Sequence, residues 1–201
     1  MKQNYPSIAK VLYELSNLNH IPRSGLIQFC FEDFESIAVH SYKVSFIAYF
    51  LAQIIGADLQ KVLTMALFHD ASETRVGDSN WIQKKYIKRD EKAAVTDQYV
   101  DLPSKIKDGL VSTIREYEER QSLESKIVKD ADYIAYFITL KELALKGNQE
   151  AITRLEYETV NFDYLFNEES KVLLKEVLST DPNSWTRELH KGTLKKSSQV
   201  K

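Results

Sequence analysis

The sequence contains few of the residues that interrupt helices or build covalent frameworks. Its 201 residues include one cysteine, six glycines and four prolines. The single cysteine, Cys30, excludes an internal disulfide framework and a cysteine-based zinc site, so a small buried or half-buried thiol is its expected role. Few glycines and prolines leave long uninterrupted stretches, which favour helices over many short strands joined by turns.

The sequence also lacks an excess of charge of one sign and long apolar runs. The formal net charge is −2, so no basic field would attract nucleic acid polymers or anionic membranes. No apolar run suggests a membrane span, and the first residues, MKQNYPSIAKVLYEL, have no signal-peptide core. These absences indicate a cytoplasmic enzyme or binding protein. We expect one domain over residues 1–201, with a core at about 7–180 and a flexible tail at 191–201.

The spacing of the apolar residues predicts a mainly helical chain. The longest predicted helix, Ser122 to Lys146, is apolar on nearly all sides, so we expect it at the centre of a bundle. A last helical region is predicted over Gln149 to Ser179. Five residues are placed to begin helices: Ser7, Ser36, Asp58, Pro103 and Ser122.

One short stretch concentrates ionisable residues at the end of an apolar segment. His69 and Asp70 directly follow the apolar residues 59–68, and Glu73 comes three residues later. If the helix runs on to Glu73, that side chain lies over both His69 and Asp70. Burying an imidazole and two carboxylates is costly unless they pair or bind a cation. No basic residue lies beside them on that face, so a metal ion is the simplest explanation.

Further polar residues interrupt the apolar faces of two other helices. His40 stands where the second helix should carry an aliphatic residue, and the central helix contains both Asp130 and Asp132. Periodicity does not choose between these two acids. Two imidazoles and two carboxylates from three helices suit one divalent ion, with Mn, Co, Fe, Ni or Zn favoured and Mg less suitable. Taken singly, His40 could be a satisfied core histidine, and Asp132 could bond a tyrosine.

The order His40, His69-Asp70, Asp132 resembles the H…HD…D pattern of the HD-domain metal-dependent phosphohydrolases. The similarity is closest to the branch that contains the bacterial 5'-deoxynucleotidases, and it extends over about residues 12–154. It is carried by the segments ALFHDASE, with Gly77-Asp78 after it, and IVKDADYIAY. The resemblance implies an all-α fold, a helical bundle with a central metal site. It also puts the last ligand at Asp132, which leaves Asp130 as a surface acid or one outside the ligand set.

The resemblance further implies roles for individual side chains. Glu73 and Asp78 match positions beside the metal, where they would orient the attacking water, shuttle a proton or hold the sugar. Arg23 matches an arginine that grips the substrate phosphate, and a guanidinium offers the paired donors that phosphate oxygens need. The plainer alternative for Arg23 is a solvated loop residue. The metal ligands implied by the resemblance are His40, His69, Asp70 and Asp132.

The implied activity is hydrolysis of a (deoxy)ribonucleoside 5'-monophosphate to nucleoside and phosphate by a homodimer. Branch members often carry a tryptophan against the sugar directly after the arginine, whereas Ser24 stands there in this chain. Hydrolysis is therefore implied more strongly than selectivity for deoxyribose. The alternatives are a phosphohydrolase for another nucleotide or phosphate ester, and a metal- or nucleotide-binding regulator with little turnover. A solvated face is expected for Arg75 and for the basic run at residues 84–89.

Overall fold

The computed structural model describes residues 4–28, 35–157 and 160–197, without the side chains of residues 157 and 191–197. Cys30 lies outside the described residues. Within them the chain is helical, without a strand, and an isolated bridge joins Pro22 and Ser36. The α-helices of these ranges are α1 (Tyr5–Ser16), α2 (Ser24–Ile27), α3 (Ile37–Ile55), α4 (Leu59–Phe68), α5 (Glu73–Val76), α6 (Glu91–Gln98), α7 (Ser104–Glu119), α8 (Leu123–Leu145), α9 (Gln149–Tyr157), α10 (Glu168–Ser179) and α11 (Ser184–Ser197). Short 3-10 turns cover Asn17–His20, Gln83–Lys85 and Phe162–Tyr164.

Helix α8 lies at the centre of the bundle, as its all-round apolar sequence predicts. It packs against α3 and α4 and also contacts α7, α9 and α10. Its side chains Ile127, Ile134 and Leu140 are fully buried. Burying a side chain of this size contributes about 1.5–3 kcal/mol, so the central packing holds α3, α4 and α8 firmly against one another.

Local capping signals fix where the central helices begin. Ser36 Oγ accepts a hydrogen bond from Val39 N at 3.3 Å, and Asp58 Oδ1 accepts one from Lys61 N at 3.1 Å. Ser122 Oγ caps α8 in the same way. The predicted starts at Ser36, Asp58 and Ser122 are therefore confirmed, and each side chain satisfies a backbone N–H that the first turn of a helix leaves without a partner.

The prediction that Ser7 caps the first helix is wrong. Helix α1 begins earlier, at Tyr5, with Pro6 in its first turn, where a missing N–H costs no hydrogen bond. Ser7 is buried, and its hydroxyl donates to the carbonyl of Asn4 at 2.9 Å. At the other end of the chain, α11 continues as far as Ser197, into the segment predicted to be a tail.

Two other predicted helices are interrupted. Helix α4 ends at Phe68, and a turn carries the chain to α5 instead of one helix continuing to Glu73. The turn is closed by bonds between residues three apart, such as Ala71 N to the carbonyl of Phe68 at 3.1 Å. The last helical region is divided into α9 and α10, which are separated by residues 158–167.

Helix α3 is the most apolar of the long helices that pack against α8. By length and hydropathy alone its 19 residues could cross a membrane. Half of that window is buried inside the bundle. The core helix of a helical bundle meets the same criteria, and α3 has that position against α4 and α8.

Candidate metal and phosphate site

The four predicted ligands converge on one point from three parts of the fold. His40 comes from α3, His69 and Asp70 from the turn after α4, and Asp132 from α8. His40 Nε2 lies 3.1 Å from Asp132 Oδ1 and 3.8 Å from Asp70 Oδ2. His69 Nε2 lies 3.1 Å from Asp70 Oδ2. Potential ligand atoms of His40, His69 and Asp70 all lie within 4.8 Å of one another.

The donor atoms at this point fit a divalent transition metal. His69 Nδ1 donates to the carbonyl of Ala66 at 2.8 Å, which directs the lone pair on Nε2 towards Asp70. The Nε2 atoms of His40 and His69 are buried without a hydrogen-bond partner among the described residues. A buried polar atom without a partner costs about 1–3 kcal/mol. A cation would satisfy both atoms, and mixed nitrogen and oxygen ligands suit such an ion.

The two aspartates are ionised although they are largely buried, with side chains 17% exposed. Desolvation opposes the charge of Asp70, but the neighbouring His69 holds the pKa of that carboxyl well below its usual range. Asp132 is desolvated too, and Lys129 and His40 lower its pKa. Burial disfavours a charged imidazole, yet the charge of Asp70 raises the pKa of His69 above 6.5. Negative charge is therefore concentrated where the imidazole nitrogens point, which favours a bound cation.

Arg23 extends along the same cluster and is mostly buried, at 20% side-chain exposure. Its Nη1 atom lies 3.8 Å from Asp70 Oδ2 and 4.0 Å from Asp78 Oδ2. Its Nη2 atom lies 3.8 Å from Asp132 Oδ1. The alternative of a solvated loop residue is therefore wrong for Arg23. Asp78 also accepts a hydrogen bond from Ser24 N at 2.8 Å, so it holds the backbone next to Arg23.

Glu73 is a buried acid beside the two ligands of the turn. Burial, together with the charges of Asp70 and Asp78, raises the pKa of Glu73 to about 10. The group is therefore a neutral carboxylic acid at neutral pH in the absence of a metal. Its Oε2 atom is buried without a hydrogen-bond partner in the described part of the chain. Such an atom is available to a substrate or a water molecule.

One member of the basic run at 84–89 belongs to the site. Arg89 is nearly buried, its Nη1 lies 3.9 Å from Glu73 Oε1, and it donates to the carbonyl of Gly77. The expectation of a solvated face is wrong for this residue. No periodic signal marks it, because the surrounding segment is irregular. Arg75, by contrast, is exposed and pairs with Glu14 at 2.6 Å, as expected of a surface residue.

Asp130 is not a surface acid, so the first of the two alternatives for this residue is wrong. It is fully buried and accepts hydrogen bonds from Phe166 N at 2.8 Å, Asn167 N at 3.0 Å and Asn167 Nδ2 at 2.8 Å. These partners belong to the residues that lead into α10. Asp130 therefore fastens this connection to α8, on the side of the helix that faces away from Asp132.

Two neighbours of the predicted ligands give no signal in the sequence. Tyr117 of α7 packs edge-on against His69, with ring centroids 5.4 Å apart. Lys129 Nζ lies 2.7 Å from Asp132 Oδ2, at the partly exposed edge of the site. Tyr117 closes the site on the apolar side, and Lys129 adds positive charge at the opening.

A helical bundle that gathers two imidazoles and two carboxylates at one largely buried point belongs to the class of helical proteins with a candidate metal site. The match to a known family is equally direct. The chain belongs to the HD-domain family, whose model, described as HD domain, matches residues 15–166. This range contains every predicted site residue, from Arg23 to Asp132.

Curated relatives and solved structures agree with this assignment. The chain is 30% identical over 129 residues to 5'-deoxynucleotidase HDDC2 of Xenopus laevis, covering 63% of this chain and 64% of that protein. It is 34% identical over 140 residues to 5'-deoxynucleotidase YfbR of Escherichia coli, covering 61% of this chain and 69% of that protein. The chain spans just under two thirds of the length of the first curated relatives it matches.

Solved structures share the fold over nearly the whole chain. A conserved hypothetical protein from Pyrococcus furiosus has a TM-score of 0.67 and 25% identity, covering 84% of this chain and 98% of that chain. An HD-domain phosphohydrolase from Listeria innocua has a TM-score of 0.62 and 22% identity, covering 96% of this chain and 99% of that chain. The predicted all-α HD-domain fold is thus confirmed.

Proposed function

We propose that the protein is a divalent-metal-dependent phosphohydrolase that converts nucleoside 5'-monophosphates to nucleoside and inorganic phosphate. The observation that carries this proposal is the position of Arg23. Its guanidinium lies 3.8 Å from both Asp70 and Asp132, so a phosphate that it binds would lie beside the predicted metal ligands. The relatives named 5'-deoxynucleotidase support the same substrate class.

We assign one divalent ion to the four converging side chains, His40, His69, Asp70 and Asp132. When bound there, the ion would act as a Lewis acid, lowering the pKa of a water molecule and neutralising phosphate charge. Mn, Co, Fe, Ni and Zn accept imidazole ligands readily, and Mg does so less. The Nε2 atoms of the two histidines support this assignment, because they have no hydrogen-bond partner in the part of the chain that the structure describes.

Three further side chains have roles in the proposed reaction. Burial lowers the pKa of Arg23, but the charges of Asp132 and Asp70 raise it by more. The guanidinium therefore stays charged and offers paired donors to phosphate oxygens. The buried carboxyl of Glu73 holds or accepts a proton at Oε2. Asp78 fixes the backbone at Ser24, which keeps Arg23 in place, and we assign to it the contact with the sugar.

The test is phosphate release from a panel of nucleotides after chelation and addition of Mn, Co or Mg. We expect release from 5'-monophosphates with Mn or Co and none with chelator. Arg23→Ala should lower kcat/KM by about 100-fold, as loss of a donor to developing negative charge does. Release from triphosphates alone would contradict the monoester assignment. Bound nucleotide without release under any metal would favour the regulatory alternative.

We propose deoxyribonucleotides as the preferred members of this class. The relatives with that name support the preference, while Ser24 in place of a tryptophan weakens it. Deoxyadenosine and adenosine 5'-monophosphate, compared under identical metal conditions, separate the two. Equal kcat/KM for the pair would remove the deoxyribose preference and leave the hydrolysis itself intact.

We also propose a homodimer in which two copies of α3 pack together. Six large apolar side chains along the outer part of α3 are 38–70% exposed: Val39, Tyr42, Phe46, Tyr49, Phe50 and Ile54. Most follow the alternating three- and four-residue spacing of a helix-pairing face. Helix α3 contains no aspartate, glutamate or arginine, and its single lysine is Lys43. The Lys43 side chain is turned inward to Glu35 and Glu142.

The size of this face supports self-association. Six such side chains, partly exposed, offer on the order of 500 Å² per copy, against about 800 Å² per partner in a standard interface. Sedimentation should find a dimer for the natural chain and a monomer for Phe46→Glu. A natural chain that stays monomeric at high concentration, or that binds lipid vesicles through this face instead, would contradict the dimer.

A further inference from the structure

Glu35 forms a buried polar cluster with side chains of the two helices that carry His40 and Asp132. Its side chain is 7% exposed, and its Oε1 lies 3.2 Å from Lys43 Nζ. The hydroxyl of Thr139 lies 3.1 Å from Glu35 Oε2, and Lys43 Nζ also donates to Thr139 Oγ1 at 3.1 Å. The Glu35 carboxylate is thus held by α3 and by α8 together.

The backbone of the same residue holds Arg23. The carbonyl of Glu35 accepts a hydrogen bond from Arg23 N at 2.9 Å. Two residue pairs further on, Ile37 N donates to the carbonyl of Ile21, also at 2.9 Å, and Pro22 and Ser36 form the bridge between these two bonds. Residues 21–23 are therefore aligned on residues 35–37, and Glu35 joins this alignment to the helices through its side chain.

The anchoring side chains share helix faces with the predicted metal ligands. Lys43 is three residues after His40 on α3, and Thr139 is seven residues after Asp132 on α8. Both spacings keep side chains on one face of a helix. The cluster around Glu35 therefore fixes the Arg23 segment against the same two faces that present His40 and Asp132.

Stability alone is a weak explanation for this cluster. Taking a carboxylate and an ammonium out of water costs about as much as their attraction returns, and apolar replacements of similar size are often as stable. The ion pair of Glu35 with Lys43 and the hydrogen bond from Thr139 to Glu35 Oε2 do, however, tie the carboxylate to one position on each helix. Position matters at this point, because misplacing a reacting or binding group by about 1 Å can cost on the order of 100-fold in rate.

We propose that Glu35 is a positioning residue that sets the distance between the Arg23 guanidinium and the metal ligands. This inference rests on the proposed role of Arg23 as the phosphate ligand. It states that Glu35 influences phosphate binding through Arg23 and leaves metal binding unchanged.

The test is Glu35→Gln, which keeps the shape and the contact to Thr139 and removes the charge. We expect the affinity of the Mn-loaded protein for inorganic phosphate and kcat/KM to fall by about tenfold, part of the penalty for a misplaced group. Mn affinity should stay within about twofold, because the ligands are untouched. Amide hydrogen exchange in residues 21–28 should become faster, since the Arg23 N–H bond to Glu35 is loosened.

A double-mutant cycle separates positioning from general destabilisation. In an Arg23→Ala background, Glu35→Gln should cause no further loss of phosphate affinity, because the group it positions is gone. Lys43→Met should reproduce the Glu35→Gln phenotype, and Lys43→Arg should retain most of the phosphate affinity. Glu142→Gln is the matched control: it contacts the same Lys43 Nζ at 2.6 Å but is 46% exposed, so it should have little effect.

Two results would overturn the inference. One is an equal loss of phosphate affinity on Glu35→Gln in the natural and Arg23→Ala backgrounds. The other is natural phosphate affinity in a folded Glu35→Gln or Lys43→Met protein. If the natural Mn-loaded chain neither binds phosphate nor releases it from nucleotides, the proposed function fails instead. Faster amide exchange at residues 21–28 in Glu35→Gln would still show that Glu35 holds the Arg23 segment.

Discussion

Asp130 and Asp132 are two residues apart on α8 and therefore point to opposite sides of the helix. Asp132 lies beside His40, and Asp130 binds the backbone at Phe166 and Asn167. Periodicity could not choose between them because both sides of α8 are buried. The resemblance selected Asp132 as ligand, but no sequence pattern indicated the role of Asp130, since its partners lie 36 and 37 residues further along the chain.

Replacement by asparagine should have a different effect at each of the two acids: on Mn affinity at Asp132 and on stability at Asp130. Asp132→Asn removes a charged ligand, so Mn affinity should fall by about 100-fold or more. This is at least the loss that follows when a residue that only hydrogen-bonds to a metal ligand is replaced. Asp130→Asn replaces a buried acceptor of three N–H groups, and the free energy of unfolding should fall by about 2–4 kcal/mol. Calorimetric Mn titration and urea unfolding of the chelated proteins measure the two effects.

Each variant is the other's control in this comparison. Asp130→Asn should bind Mn normally under conditions in which it is folded, whereas Asp132→Asn should not recover its Mn affinity under any conditions in which it is folded. Loss of Mn binding in Asp130→Asn alone would mean that the ligand register on α8 is shifted by two residues.

Glu73 makes the metal-free protein less stable as the pH rises. Its pKa is raised from 4.5 to about 10 in the folded protein by burial and by Asp70 and Asp78. Between these values the unfolded chain releases a proton that the folded chain keeps, so stability falls with increasing pH. Glu73→Gln is always neutral. In chelator it should therefore be more stable than the natural chain by about 1–3 kcal/mol near pH 8, with no such gain near pH 4.

Urea unfolding of both proteins at the two pH values checks this expectation. Other titrating groups are common to the two proteins, so they cancel in the difference between them. A stability difference that is the same at both pH values would show that Glu73 is ionised in the folded protein, contrary to its raised pKa.

Helix ends could be predicted where a polar side chain or a glycine defines them. Ser36, Asp58 and Ser122 cap the helices that carry or precede the site, as the sequence indicates. The break between α4 and α5 could not be predicted, because no glycine or proline marks it and its residues are compatible with a helix. The break matters for the site, since His69 and Asp70 lie in it.

Gly56 illustrates how one backbone conformation ends the helix that carries His40. Its φ of 84° is left-handed, and a Cβ at this position would meet no atom within 4 Å. Gly56→Ala should therefore lose about 1 kcal/mol of unfolding free energy from backbone strain alone. Thermal or urea unfolding measures the change.

Gly109 is the matched control for that substitution. It lies inside α7, has no left-handed φ, and its added Cβ would likewise meet nothing within 4 Å. Gly109→Ala should gain about 0.5–1 kcal/mol, because alanine is the better helix former. A loss at Gly109 as large as that at Gly56 would contradict the assignment of the Gly56 effect to its φ.

The site joins parts of the molecule that are far apart in sequence. Its members come from α3, the turn after α4, α8 and the segment before α2, which only the packing of α8 against α3 and α4 brings together. The HD-domain resemblance anticipated this convergence and the all-helical fold. It gave no indication of the Arg89 contact with Glu73 or of the Glu35 cluster, because both depend on side chains in irregular segments.

A metal held by three parts of the fold should stabilise the whole molecule. A ligand that binds only the folded state at 100 times its Kd adds about 2.7 kcal/mol, which corresponds to a rise in Tm of about 5–10 °C for a chain of this size. Thermal unfolding of chelated protein with added Mn, Co or Zn measures the rise, and renewed chelation should reverse it. Asp132→Asn should show almost no rise, because the three remaining ligands bind the ion too weakly in the folded protein. A natural chain whose Tm is unchanged by every one of these ions would contradict a shared cation at His40, His69, Asp70 and Asp132.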